Sequence, residues 1–260
     1  MFQIFSAGIT QTLSHFYKYT GAGNDFVLFE DKIPSSVPQI CDRKRGIGAD
    51  GVLLLQKIAK SHYKMRIYNS DGSEAEMCGN GLRACFLHLL TRIPDEAPFT
   101  IDSMLKSHQG WKCPDGEIEV EMGPAHFISK KQMFNEIECD LIDSGVPHLI
   151  IKNVLSVPFV EVAPPLRCLA KANVNYIEAD NDGWKVSTYE RGVEGITDAC
   201  GTGVVAAALS LALHEKVSSP LSLSTPGGDR LTVGWHGQPE KPEQVTLKGK
   251  TALVFEGVSV

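Results

Sequence analysis

The sequence has little cysteine, no long apolar run and no excess of positive charge. Seven cysteines in 260 residues are too few for a disulfide-built secreted scaffold, and an odd number cannot pair completely within one chain. None forms a C-x-x-C pair or stands at ligand spacing to a histidine, so no structural zinc or other metal site is expected. No stretch approaches the roughly 18 apolar residues of a spanning helix. Met1 to His15 lacks the basic start of a secretory signal, so no membrane association is expected. With 31 acidic against 25 basic side chains and a net charge of −6, there is no basic stripe to hold a nucleic-acid backbone. What is present is an apolar fraction of 43%, enough for the core of one large domain or two ordinary ones. Free thiols then fit a cytoplasmic protein in a reducing compartment.

Short Val/Ile/Tyr-rich runs bounded by Gly and Pro predict strands at Val27–Phe29, Val52–Leu55, Met65–Tyr68, Ile118–Met122, Leu149–Ile151, Val174–Ile177, Lys185–Tyr189 and, in pieces, Val245–Phe255. Only two stretches read as long helices. Leu82, Cys85, Phe86, Leu89 and Leu90 form one apolar face, and Val204, Val205, Ala208, Leu209 and Ala212 repeat that spacing. What precedes each helix also repeats: a strand, a polar Gly-containing turn, then Cys78-Gly79-Asn80-Gly81 or Cys200-Gly201-Thr202-Gly203. An internal duplication is the economical reading, with a boundary near Met122-Gly123-Pro124.

One nucleotide-like motif fails on context. Gly46-Ile47-Gly48-Ala49-Asp50-Gly51 matches G-x-G-x-x-G but runs into the apolar Val52–Leu55 strand instead of opening a helix, so no dinucleotide site is expected there. Cys85 reads as core, and Cys41, Cys113, Cys139 and Cys168 as packing or surface residues. Cys78 and Cys200 differ because each stands at a helix N-terminus, where unpaired N–H groups favour a thiolate and are expected to lower its pKa toward neutrality. The same N–H groups can hold a carboxylate or a developing enolate oxygen. The plainer alternative is that each Gly-x-Gly makes a tight helix entry and the cysteines simply pack.

Two thiols presented alike by two similar halves suit proton removal from one face of a carbon and return from the other, one sulfur as base and one as acid. Each such group contributes about 10²–10⁴ in rate. The α-proton of an amino acid needs more, and stabilisation of the carbanionic carboxylate at the helix N-termini would supply it.

These residues and the motifs around them resemble the diaminopimelate epimerases, pyridoxal-independent enzymes that interconvert LL- and meso-diaminopimelate on the route to lysine and peptidoglycan precursors. The resemblance runs from about Phe16 to the C-terminus. It includes Lys18-Tyr19-Thr20-Gly21-Ala22-Gly23-Asn24-Asp25-Phe26, Tyr68 to Glu74, Met77 to Gly81, Gly145-Val146-Pro147-His148, Asn173-Val174-Asn175-Tyr176, Tyr189-Glu190-Arg191-Gly192, Ala199 to Gly203 and Thr225-Pro226-Gly227-Gly228. It implies an α/β (α+β) fold of two pseudo-symmetric domains, each a curved, largely antiparallel sheet around a central helix, with the active site in the interdomain cleft. The implied division is an extension at 1–15, a first domain at 16–123 completed by a C-terminal strand at about 250–260, and a second at 124–249.

By position, the resemblance makes Cys78 and Cys200 the acid/base pair and His148 and Glu190 the residues that tune them. Asn24, Asn69, Asn173, Glu190 and Arg191 become substrate contacts, and Gly79, Asn80, Gly201 and Thr202 the backbone carboxylate sites. It implies no cofactor, a small amino-acid substrate as the binding partner, and a homodimer. Locally, Asn24 and Asn69 read equally as turn residues, Arg191 as an exposed ion-pair member and His148 as a satisfied loop histidine. Gly51 and Val146 depart from members with Gln and Asn there, and Ile196 stands where an acid is usual. The competing readings are a cofactor-independent racemase of the same fold acting on glutamate, proline or hydroxyproline, a binding protein that kept the cleft, and a pyridoxal enzyme. The last lacks a phosphate-cradling loop placed with a Schiff-base lysine.

Overall fold

The computed structural model describes residues 14–104, 106–152, 155–180 and 183–259. The extension expected at 1–15 lies outside these residues except for Ser14 and His15, which open the first strand. In chain order the first half contains β1 (Ser14–Gly21), β2 (Asn24–Glu30), α1 (Val37–Cys41), β3 (Gly51–Ala59), β4 (His62–Asn69), β5 (Glu74–Ala75), α2 (Gly79–Arg92), β6 (Thr100–Asp102), β7 (Ser107–Lys112) and β8 (Ile118–Glu121). There follow β9 (His126–Phe134), β10 (Ile137–Asp143), β11 (Pro147–Ile151), α3 (Phe159–Ala170), β12 (Asn173–Asp180), β13 (Gly183–Glu190), β14 (Gly195–Thr197), α4 (Gly201–Glu215), β15 (Leu221–Ser224), β16 (Arg230–Gln238), β17 (Lys241–Gly249) and β18 (Ala252–Ser259). The fold is mixed α+β, dominated by sheet.

The duplication is written in the strand pairing. β1 pairs antiparallel with β2, β2 parallel with β3, β3 antiparallel with β4, and β4 with both β5 and β6. Nine strands later, β10 to β15 repeat each of these relations with the same polarity. The halves exchange outer strands, β18 pairing with β1 and β8 with β17, while β9 pairs with its neighbour β10. Helix α2 packs inside the first sheet against β1, β7 and β8, and α4 inside the second against β11, β12, β13 and β16. Leu82 and Phe86 of α2 and Val205 and Leu209 of α4 belong to one continuous buried cluster, so the halves share a core.

Both expected helices form, with Cys78 and Cys200 as their N-caps in extended conformation. α4 has every residue from Gly201 to Ala212 buried, as its all-round apolar sequence requires. The third helix, α3, departs from the expectation of only two long helices, because Pro164 and Pro165 lie inside it. Each proline removes an N–H that would bond a carbonyl four residues back. Those carbonyls belong to Val160 and Glu161, on the exposed side, where water can take the place of the lost donor. Val162, Ala163 and Leu166 bury the other side against β12 and β13.

Because Leu209 is fully buried in the shared core, Leu209→Ala should cost about 2–5 kcal/mol, read as a lower urea midpoint with an unchanged slope.

Candidate active site

Each predicted cysteine sits where a strand-turn-strand unit delivers the chain to a helix. In the first half, Asn69 closes the turn: its N–H donates to Ser73 O (2.8 Å) and its Nδ2 to Ser73 Oγ (3.0 Å). β5 then leads to Cys78, whose sulfur accepts from Gly81 N–H at 3.3 Å, taking the capping role of a serine or aspartate oxygen. The second glycine of each C-G-x-G string is a docking requirement. A Cβ on Gly81 would stand 2.8 Å from Leu53 Cδ2, and one on Gly203 would fall on Asn175 Oδ1 and within 2.8 Å of Thr188 Oγ1. The first glycines bring the helices together, since a Cβ on Gly201 would lie 3.6 Å from Gly79 Cα. The two helix N-termini therefore meet backbone to backbone, with both positive ends at one place.

Above this junction lies a cleft of about 620 Å³. Asn24, Asn69 and Cys78 line it from the first half, and Asn173, Glu190, Arg191 and Thr202 from the second. Cys200, His148, Gly79, Asn80 and Gly201 are not in its wall. Cys200 is buried, with its sulfur 3.4 Å from the hydroxyl of cleft-lining Thr202. His148 is fully buried and acts through the same hydroxyl. Thr188 Oγ1 donates to Asn175 Oδ1 (2.8 Å), which turns the Asn175 Nδ2 toward His148 Nδ1 (2.9 Å). His148 Nδ1 is then the acceptor and Nε2 carries the proton, donated to Thr202 Oγ1 at 2.9 Å. That leaves the Thr202 hydrogen for the Cys200 sulfur. Asn175 and Thr188 were not singled out from sequence, although Asn173 and Asn175 alternate on one strand face with an apolar residue between them, a sign of a polar network inside.

Burial, not the helix N-terminus, dominates the thiols. Desolvation pushes Cys78 up to about 11 despite the Gly81 N–H, and it raises Cys200 as well. The negative charge of Glu190 opposes ionisation of both sulfurs, and Glu190 is itself raised by burial. The expected lowering toward neutrality is therefore corrected: in this closed arrangement both thiols hold their protons at neutral pH. Burial also drives His148 down to about 3, so its ring is neutral and serves as a hydrogen-bond link.

The polar ends of the cleft are differently prepared. Asn173 Oδ1 accepts the Arg191 N–H at 2.8 Å, while the Arg191 guanidinium reaches only Lys171 O at 3.5 Å and joins no ion pair among the described residues. Its fork is available for a carboxylate. Asn24 Oδ1 accepts from the buried Asn80 Nδ2 at 2.6 Å, and its own Nδ2 lies 3.4 Å from Asp50 Oδ2. Gly51 has no room for a side chain, because a Cβ would stand 2.7 Å from Tyr68 O. No cluster of three metal-ligating side chains occurs among the described residues.

A His148 pKa below its unfolded value means that unfolding takes up a proton as pH falls below about 6.5. His148 thus contributes stability above that pH that is lost progressively toward its folded value of about 3. His148→Gln should remove up to about 1.4 kcal/mol per pH unit of slope between roughly pH 6 and 4, measured by urea unfolding against pH.

A profile of the family described as diaminopimelate epimerase matches residues 16–128. A diaminopimelate epimerase of Campylobacter jejuni subsp. doylei is 34% identical, covering 93% of this chain and 97% of its own. One from Methanocella arvoryzae is 37% identical, with 93% and 95% covered. Among solved structures, a hydroxyproline epimerase from Agrobacterium vitis shares the fold with a TM-score of 0.74 at 16% identity, covering 95% of this chain and 91% of that one. A Bacillus anthracis phenazine biosynthesis protein does so at 0.70 and 15%, with 96% and 99% covered. On the extent and identity of these sequence matches, the chain belongs to the diaminopimelate epimerase family.

Proposed function

We propose that this protein is an isomerase that interconverts LL- and meso-diaminopimelate without a cofactor, supplying lysine and peptidoglycan precursors. The observation that carries the reading is the meeting of two cysteine-capped helix N-termini beneath one cleft, with Glu190 acting on both sulfurs. The substrate α-carboxylate binds at the helix ends, where Gly79, Asn80, Gly201 and Thr202 present backbone N–H groups. Arg191 takes the distal carboxylate, and Asn24, Asn69 and Asn173 sort carboxylate from ammonium. One sulfur, as thiolate, takes the Cα proton. The electron pair stays on the carbon and its carboxylate, and the other thiol returns a proton to the opposite face. Because both thiols rest protonated, the thiolate must form as substrate enters, and Glu190 is placed to receive that proton. Exclusion of water by the buried Cys200 side leaves the thiols, which exchange their own protons with solvent, as the proton donors to the carbanion.

A second reading, a racemase acting on another amino acid such as glutamate, is favoured at one point. Val146, Val193 and Ile196 give part of the cleft an apolar wall. Incubation of reduced protein in D₂O with LL- and meso-diaminopimelate, glutamate and proline, without cofactor, separates the readings by where deuterium enters Cα. Exchange with diaminopimelate is expected; exchange only with glutamate would replace it, and none at all would sink both. Cys78→Ser and Cys200→Ser should each lower net epimerisation by at least about 10², and full activity in either would refute the two-base assignment.

We further place the protein in the cytoplasm, where both thiols stay reduced, and infer a homodimer. Strand β18 exposes Leu253, Val254, Phe255 and Val258, and among the described residues it pairs only with β1. An apolar free edge of this kind invites a second copy. Phe255→Asp should halve the mass seen by light scattering, whereas a wild-type monomer would exclude the dimer.

A further inference from the structure

Helix α2 carries a charge where its packing leaves no exit to water. Arg83 is fully buried. Its Nη2 donates to Asn80 Oδ1 at 2.9 Å, while Nε and Nη1 have no partner among the described residues. The guanidinium lies against β17 of the other half, where a Cβ on Gly249 would stand 3.5 Å from Cζ and Nε. No carboxylate forms an ion pair with it among the described residues; burial lowers its pKa to about 10, and the acidic groups that reach it are the Cys78 thiol, Asp229 and Glu117. An unpaired buried cation is costly, and an apolar residue would pack there more cheaply. The repeat itself makes the comparison: Arg83 stands five residues after Cys78, and the residue five after Cys200 is Val205. The position is thus charged in one half and apolar in the other.

We propose that Arg83 is a positioning residue that fixes the Asn80 amide at the junction of the halves and holds a buried positive charge on the helix that Cys78 caps, where the helix that Cys200 caps carries Val205. By taking Asn80 Oδ1, Arg83 leaves the Asn80 Nδ2 to donate to Asn24 Oδ1 (2.6 Å) and toward Ala199 O (3.5 Å). One amide therefore orients a cleft side chain of the first half and holds the residue before Cys200 in the second. The Asn24 Nδ2 is left facing Asp50 and the cleft. At Cys78, the Arg83 charge and the Gly81 N–H favour the thiolate, and Glu190 on β13 opposes it. At Cys200 the Glu190 charge likewise opposes the thiolate, the Thr202 hydroxyl and the Gly203 N–H favour it, and the position equivalent to Arg83 is the apolar Val205. The duplicated fold thus holds two electrostatically unequal sulfurs. The consequence for catalysis rests on the acid/base reading above.

The test is alkylation of Cys78 by iodoacetamide as a function of pH, followed by peptide mass, in wild type, Arg83→Met and Arg83→Lys. Arg83→Met should slow Cys78 alkylation about tenfold at pH 8, with the profile moved up by about one unit and the Cys200 profile unmoved. Arg83→Lys keeps the charge but not the planar fork. It should hold the Cys78 profile within about threefold, while kcat/KM for diaminopimelate falls about tenfold as the Asn80 and Asn24 amides loosen. A folded Arg83→Met protein with the wild-type Cys78 profile would overturn the charge role. Should Arg83→Met not fold, a shifted Cys78 profile in Arg83→Lys would overturn it instead, and wild-type kcat/KM in Arg83→Lys would overturn the positioning role. Alkylation needs no substrate, so it reads out even where the epimerase reading fails.

Discussion

The structure depends on the backbone-to-backbone approach of two helix N-termini at Gly79 and Gly201. Two aligned positive helix ends repel, and their unpaired N–H groups need acceptors. The surrounding residues meet that demand: Cys78 caps one end with sulfur, and Glu190 supplies negative charge to both sulfurs' surroundings. Glycine at both positions also leaves room for Leu247, which a Cβ on Gly201 would meet at 2.8 Å and one on Gly79 at 3.2 Å, and the buried, shared core holds the approach against repulsion. The exchange of β8 and β18 between the halves provides that hold, because neither sheet is completed by its own half of the chain.

From this junction follows the division of labour in the cleft. Residues that touch it directly, Asn24, Asn69, Asn173 and Arg191, come from strand ends and turns, where side chains can change without disturbing the core. Those that act from below, His148, Asn175 and Thr188 in one half and Asn80 and Arg83 in the other, are locked by burial and by one another's hydrogen bonds. The first network is neutral and ends on Thr202 and Cys200, and the second carries a cation and ends on Asn24. A duplicated backbone has thus been given unequal interiors. Two chemically identical sulfurs can hold different roles only if their surroundings differ.

The fold was legible wherever local pattern and tertiary position agree. The strand runs appear within β2, β3, β4, β8, β11, β12, β13, β17 and β18, and both C-G-x-G strings stand at helix entries. α3 was not legible, because two interior prolines argue against a helix on local grounds, and only the exposure of Val160 and Glu161 makes their lost hydrogen bonds tolerable. Thr202 was readable as a backbone site, but its hydroxyl's place between His148 and Cys200 depends on residues brought together from three strands and a helix.

The sequence by itself determined the duplication and the capping position of Cys78 and Cys200, because periodicity, turn residues and helix caps are local properties. Tertiary structure alone decided how those thiols titrate and which side chains reach them. A helix N-terminus lowers a thiol's pKa through a few N–H groups, a feature visible in the chain. Desolvation and the charges of Glu190 and Arg83 come from residues distant in sequence or hidden on the buried face of α2, and their balance exists only once the halves have closed on each other.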